Sequence, residues 1–117
     1  MNGFLNELSG DFVSDRDFQL DTDLIYKSDC LKRIIVVPSG FITDFASFQL
    51  LDMRLSTGKR SATLHDYLYR TKGIASKKEA DDVYLEAMKS QNIGFFWRWK
   101  NYLGVRWFGK SSYKGGI

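Results

Sequence analysis

One cysteine, one proline and one histidine are all that this chain of 117 residues holds of three residue types that often carry structure or chemistry. Cys30 alone forms no intrachain disulfide, which excludes a secreted fold stapled by such bridges. It stands in a polar turn, Ser28-Asp29-Cys30, with no base beside it, and reads as an incidental thiol. His65 alone excludes zinc enzymes built on two or three histidines, and phosphohydrolases that surround a metal pair with several. The sequence also lacks H-E-x-x-H, paired C-x-x-C, a Walker loop, G-x-G-x-x-G and G-x-S-x-G. No apolar run approaches the roughly 18–20 residues of a membrane-spanning helix. Met1–Glu7 offers neither a basic start nor an apolar stretch, so the expectation is synthesis in the cytoplasm without a signal peptide. Acid is missing from one region: residues 89–117 carry six Lys/Arg and no Asp/Glu, although the whole chain is only +3.

What is present suits a packed domain. The chain is 44% hydrophobic and 15% aromatic, ample for a core and unlike a disordered segment. Its length fits one domain over 1–117. Short strands are expected at Asp17–Leu20 and Leu24–Tyr26, then a β-branched run, Arg33–Val37, stopped by Pro38. Ser39-Gly40 reads as a turn into a return strand, Phe41–Thr43. Beyond residue 45 the texture is helical. Ser61–Arg70 places Leu64 and Leu68 four apart on one face, and Thr71-Lys72-Gly73 ends it. Ser76-Lys77-Lys78-Glu79 is a capping box, followed by the apolar stripe Ala80, Val83, Tyr84, Ala87 and Met88. A third helix is expected over Phe95–Trp107, closed by Gly109. The fold class is α+β: a small antiparallel β-meander over a strand-rich 1–45, two or three helices over 46–110, and a short flexible C-terminal tail.

Chemistry, if there is any, gathers at His65-Asp66. On a helix these two point about 100° apart, so they divide labour rather than share a contact. His65 could take a proton from water, with Asp81 of the next helix orienting the imidazole. Asp66 could hold a cation, Ca²⁺ or Mg²⁺ by its oxygen ligand. Asp44 and Tyr69 are candidate substrate-binding residues. Each has a plainer reading: Asp66 with Arg70 at i, i+4 as a surface ion pair, His65 with Asp81 as a packed structural bond, and Asp44 as a turn cap.

Gly40-Phe41-Ile42-Thr43-Asp44-Phe45-Ala46-Ser47, Leu64-His65-Asp66-Tyr67-Leu68-Tyr69, Glu79-Ala80-Asp81, Glu86-Ala87-Met88 and Val105–Gly109 together resemble a family of uncharacterised phage and prophage proteins. One departure is that a Pro-Arg pair follows the Ala-Ser step in that family, where this chain has Phe48-Gln49-Leu50. The resemblance implies a phage context, synthesis in host cytoplasm and a place in a virion or beside it, but no activity. His65–Arg70 is also similar to the His-Asp helix of phospholipases A2. That likeness implies a water-activating role for His65, calcium at Asp66 and an orienting role for Asp81. The glycine-rich calcium loop and the disulfides of those enzymes have no counterpart here.

Gly94–Phe108 is aromatic and basic. Phe96, Trp99, Leu103 and Trp107 share one helical face, and the expectation is that this face is core, with cations snorkelling at its edges. The competing reading is an interfacial helix in peripheral contact with a membrane. The basic residues are too few and too dispersed for nucleic acid. Two function classes follow. One is a small hydrolase acting on an ester or an envelope lipid. The other is a non-enzymatic virion component or host-factor binder, partnered by other phage structural proteins or a host protein.

Overall fold

The structure is a computed structural model that describes residues 2–15, 17–44 and 58–108. The Phe45-Ala46-Ser47 part of the signature, the Phe48-Gln49-Leu50 departure, Gly109 and the C-terminal tail lie outside the described residues. Among the described residues six strands precede three helices: β1 Gly3–Phe4, β2 Gly10–Phe12, β3 Phe18–Leu20, β4 Leu24–Ser28, β5 Arg33–Val37, β6 Ile42–Thr43, α1 Gly58–Arg70, α2 Lys77–Ser90 and α3 Phe95–Phe108. This is the α+β order expected of the sequence, a meander and then helices. The meander is divided into two antiparallel three-stranded sheets, ordered β1-β4-β5 and β2-β3-β6.

The β4–β5 ribbon shows why these residues form strands. Its register runs from Leu24 opposite Val37 to Ser28 opposite Arg33. Leu24, Tyr26 and Ser28 point inward with Ile35 and Val37, while Ile34 and Val36 point to solvent, the two-residue alternation of a sheet with one covered face. β1 and β2 were not expected. They are two and three residues long and show no alternation, and they exist by pairing with β4 and β3. Gly10 in β2 permits that pairing, since a Cβ there would stand 2.1 Å from the Gln19 carbonyl oxygen.

The sheets are covered by α1 and α2. Leu20, Leu24, Tyr26, Ile35 and Val37 pack with Leu64, Leu68, Ala80, Val83 and Ala87 in one buried cluster. Glu86 of α2 then fastens the ribbon from the side. It accepts hydrogen bonds from the Tyr26 hydroxyl (2.8 Å), the Ser28 hydroxyl (2.9 Å) and the Cys30 amide (2.8 Å). α1 begins three residues before the expected start and ends at Arg70, with Gly73 at φ +84° in the turn. The capping box of α2 is formed: the Ser76 hydroxyl accepts from the Glu79 amide at 3.1 Å, and the Glu79 carboxylate accepts from the Ser76 amide at 2.9 Å. Ser76→Ala is expected to cost about 1 kcal/mol, read as a small fall in the midpoint of thermal unfolding.

α3 rests on α2 through a second cluster of Tyr84, Met88, Ile93 and Val105, with Trp97 and Leu85 beside it. The sequence expectation for this helix fails. Phe96, Trp99, Leu103 and Trp107 do share a face, but that face is exposed, and Val105 and Trp97 make the contact instead. Helical period tells which side chains lie together. It does not tell which side meets the protein.

Candidate functional site

α1 and α2 place His65 and Asp81 opposite one another. His65 Nε2 lies 2.9 Å from Asp81 Oδ1, and both side chains are sealed, His65 being 1% exposed. The Tyr69 hydroxyl, one turn after His65, donates to the same Oδ1 at 2.5 Å. Asp81 Oδ2 accepts from Lys77 Nζ and from Arg106 Nη1, each at 2.9 Å. Four donors from three helices thus converge on one carboxylate. Lys77 Nζ also donates to the Val105 carbonyl at 2.9 Å, placing its charge at the carbonyl-rich end of α3 where a cation is favoured.

The electrostatics of this cluster decide its protonation. Burial works against the Asp81 charge, but the hydrogen bonds from His65, Tyr69 and Lys77 outweigh it and hold the carboxyl below its ordinary range. Asp81 is therefore an acceptor only, and the imidazole must donate its Nε2–H to it. Burial holds the His65 pKa below its ordinary value against the opposing pull of Asp81, with Lys77 adding to the fall. The imidazole is neutral at pH 7, and its remaining nitrogen, Nδ1, carries a bare lone pair. That atom is buried and has no hydrogen-bond partner. The ring lies against Tyr69 and Tyr84, centroids 4.0 and 4.6 Å away. An unpaired buried polar atom costs about 1–3 kcal/mol, so native proteins seldom keep one without cause.

Asp66 faces another way, as the angle between adjacent helical residues requires. Arg70 grips it with Nε on Oδ1 (3.1 Å) and a terminal nitrogen on Oδ2 (2.9 Å), and the Thr43 hydroxyl donates to Oδ2 at 2.8 Å. Arg70 also donates to the Ile42 carbonyl and lies over the Phe41 ring at 4.5 Å, so α1 is tied to β6 at this point. Burial pushes the Asp66 carboxyl up, opposed by Arg70 and Thr43, and the nearby charge of Asp44 adds to the rise.

His65, Asp81 and Tyr69 are thus brought together, and Asp66 with Asp44 forms a separate group on the β6 side. Tyr69 is buried with its hydroxyl on Asp81. Lys77, Arg106 and Thr43 belong to these groups and were not read from the sequence. Lys77 stands four residues before Asp81, a spacing that brings the two side chains within reach on a helix. Arg106 and Thr43 arrive only through the packing of distant elements. As for a cation at Asp66, calcium takes six or more oxygens and magnesium a full octahedron. Both Asp66 oxygens are engaged by Arg70 and Thr43, and no group of three His, Cys, Asp or Glu able to hold a metal occurs among the described residues. The described residues do not fit such an ion.

A family model described as a protein of unknown function, DUF1353, matches residues 18–105. The chain belongs to this family. The matched segment of this DUF1353 chain runs from β3 to the last turn of α3, and so takes in His65, Asp66, Tyr69 and Asp81. Comparison with curated proteins gave no match, and comparison with solved structures gave none.

Proposed function

We propose that this DUF1353 chain is a small hydrolase of a phage-associated family, cleaving an ester with Nδ1 of His65 as general base. The bare, buried lone pair on Nδ1 is the observation that carries the reading. A carboxylate orients the ring from Nε2, the opposite nitrogen is free to accept a proton, and the ring is neutral at the working pH, as a base must be. In the reaction, Nδ1 takes a proton from water and the hydroxide oxygen attacks the ester carbonyl carbon. Asp81 supports the imidazolium that forms. The tetrahedral intermediate then expels the alcohol, whose oxygen recovers the proton from Nδ1. With His65 1% exposed, water and substrate reach this nitrogen only when neighbouring side chains part, which makes opening a step of the cycle. The phage association rests on the resemblance carried by Gly40–Ser47, the His-Asp helix and Glu79–Asp81.

The test is ester hydrolysis by the wild type and by His65→Gln, with folding checked by circular dichroism. A fall of roughly 10²–10⁴-fold in the variant is expected. Because burial depresses the His65 pKa, the rate should decline only below the ordinary histidine value of about 6.5. Stability follows the same sign. The unfolded chain binds the proton first, so the contribution of neutral His65 is whole above about pH 6.5 and is lost as pH falls toward the folded pKa. Equal rates in wild type and His65→Gln would end the hydrolase reading.

The second reading is a non-enzymatic virion component or host-factor binder. It is favoured by the sealing of His65 and by the occupation of every Asp81 bonding position by protein donors. Under it the cluster is the joint of three helices.

A further inference from the structure

α3 turns its apolar side outward. Phe95, Phe96 and Trp107 are 69%, 68% and 70% exposed, and Trp99 and Leu103 are exposed as well. At about 100° per residue these five occupy one sector roughly 120° wide. The opposite side, with Trp97, Asn101 and Val105, lies on Met88 and its neighbours. A surface helix ordinarily arranges itself the other way round, and a contiguous outward patch of large apolar side chains marks a contact surface.

Charge indicates what the contact is. Lys100 lies 4.8 Å from the Trp97 ring centre and Arg98 5.6 Å from that of Phe95, at the borders of the patch. Residues 89–117 contain no acid. The carboxylates next to the helix, Asp81 and Asp82, are already paired with Lys77, Arg106 and Lys78. A second copy of the chain joined face to face would set positive borders against positive borders, which an isologous contact cannot avoid. An anionic surface meets no such repulsion.

We infer that the Phe95–Trp107 face of α3 is a docking surface for an anionic lipid bilayer. The helix lies in the plane of the interface, its aromatic side chains at the boundary between headgroups and acyl chains and its cations on lipid phosphates. Its 14 residues extend about 21 Å, short of a bilayer core, and no helix among the described residues is long and apolar enough to cross a membrane. The inference is independent of any chemistry at His65.

The experiment is co-sedimentation of the full chain with vesicles of phosphatidylcholine, with and without an equal share of phosphatidylglycerol. The chain should pellet with the mixed vesicles, remain in solution with phosphatidylcholine alone, and be released as salt rises. A Phe96→Ser/Trp107→Ser double variant should partition at least about tenfold more weakly, two large apolar insertions having been removed. Lys100→Glu, which leaves the apolar patch intact, should also weaken binding and serves where the double variant folds poorly. Failure to pellet with mixed vesicles, equal pelleting with both compositions, or binding unchanged in both variants would overturn the inference. So would a dimer in sedimentation velocity that the double variant converts to monomer, since the face would then belong to a second copy.

Discussion

Asp81→Ala should lose about 3–5 kcal/mol of folding free energy, a large share of the roughly 5–15 kcal/mol that a domain possesses. The substitution removes the acceptor on which His65, Tyr69, Lys77 and Arg106 converge. His65 would then lack a partner at both ring nitrogens, and the partly exposed cations Lys77 and Arg106 would face each other without the charge that reconciles them. The damage comes from what is left behind more than from the bond that is lost. Adding Arg106→Met to Asp81→Ala should therefore recover part of the stability, a sign that simple loss of hydrogen bonds would not give. Urea unfolding of the two variants measures both effects. A loss below about 1 kcal/mol in Asp81→Ala would show that the cluster is not the joint of the helices.

Glu86→Ala comes next, at about 2–4 kcal/mol. Tyr26 is fully buried and Ser28 nearly so, and both hydroxyls donate to this one carboxylate along with the Cys30 amide. Burial, reinforced by the Glu86 charge, pushes the Tyr26 phenol far above its ordinary pKa, so it remains a donor at every accessible pH and must find an acceptor. Glu86→Gln keeps an acceptor oxygen in place and should cost less. Hydrogen exchange separates a local effect from a global one. The amide of Cys30 should lose protection in Glu86→Ala more than the amides within α2, and uniform loss along the chain would contradict the assigned role.

The elements legible in the sequence were those whose causes are local. The capping box at Ser76 and Glu79 fixes the start of α2 from four adjacent residues, and the β-branched run Arg33–Val37 fixes β5. β1 and β2 are too short to carry a pattern of their own, β2 being held by partners 6 to 10 residues away and β1 by partners 22 to 24 residues away. The His65–Asp81 pairing was reachable because a single histidine leaves few choices and because a carboxylate beside an apolar stripe needs a partner. Arg106 was not reachable, since its place beside Asp81 depends on how α3 seats on α2. The same dependence governs the aromatic face. Period sets Phe96, Trp99, Leu103 and Trp107 on one face, but it is the contact of Val105 and Trp97 with α2 that turns the group toward solvent.

The link from Glu86 to the β4–β5 ribbon also has a consequence for the chain as the ribosome delivers it. The three bonds span 56 to 60 residues, so Tyr26, Ser28 and Cys30 are synthesised well before their acceptor. At about 5–20 residues per second the ribbon waits roughly 3–12 s for Glu86, and its inward row of Leu24, Tyr26, Ile35 and Val37 is without the α2 half of its cover throughout. During that interval a nascent chain is most in need of a chaperone, and a truncation before α2 should be an aggregating fragment rather than a smaller fold.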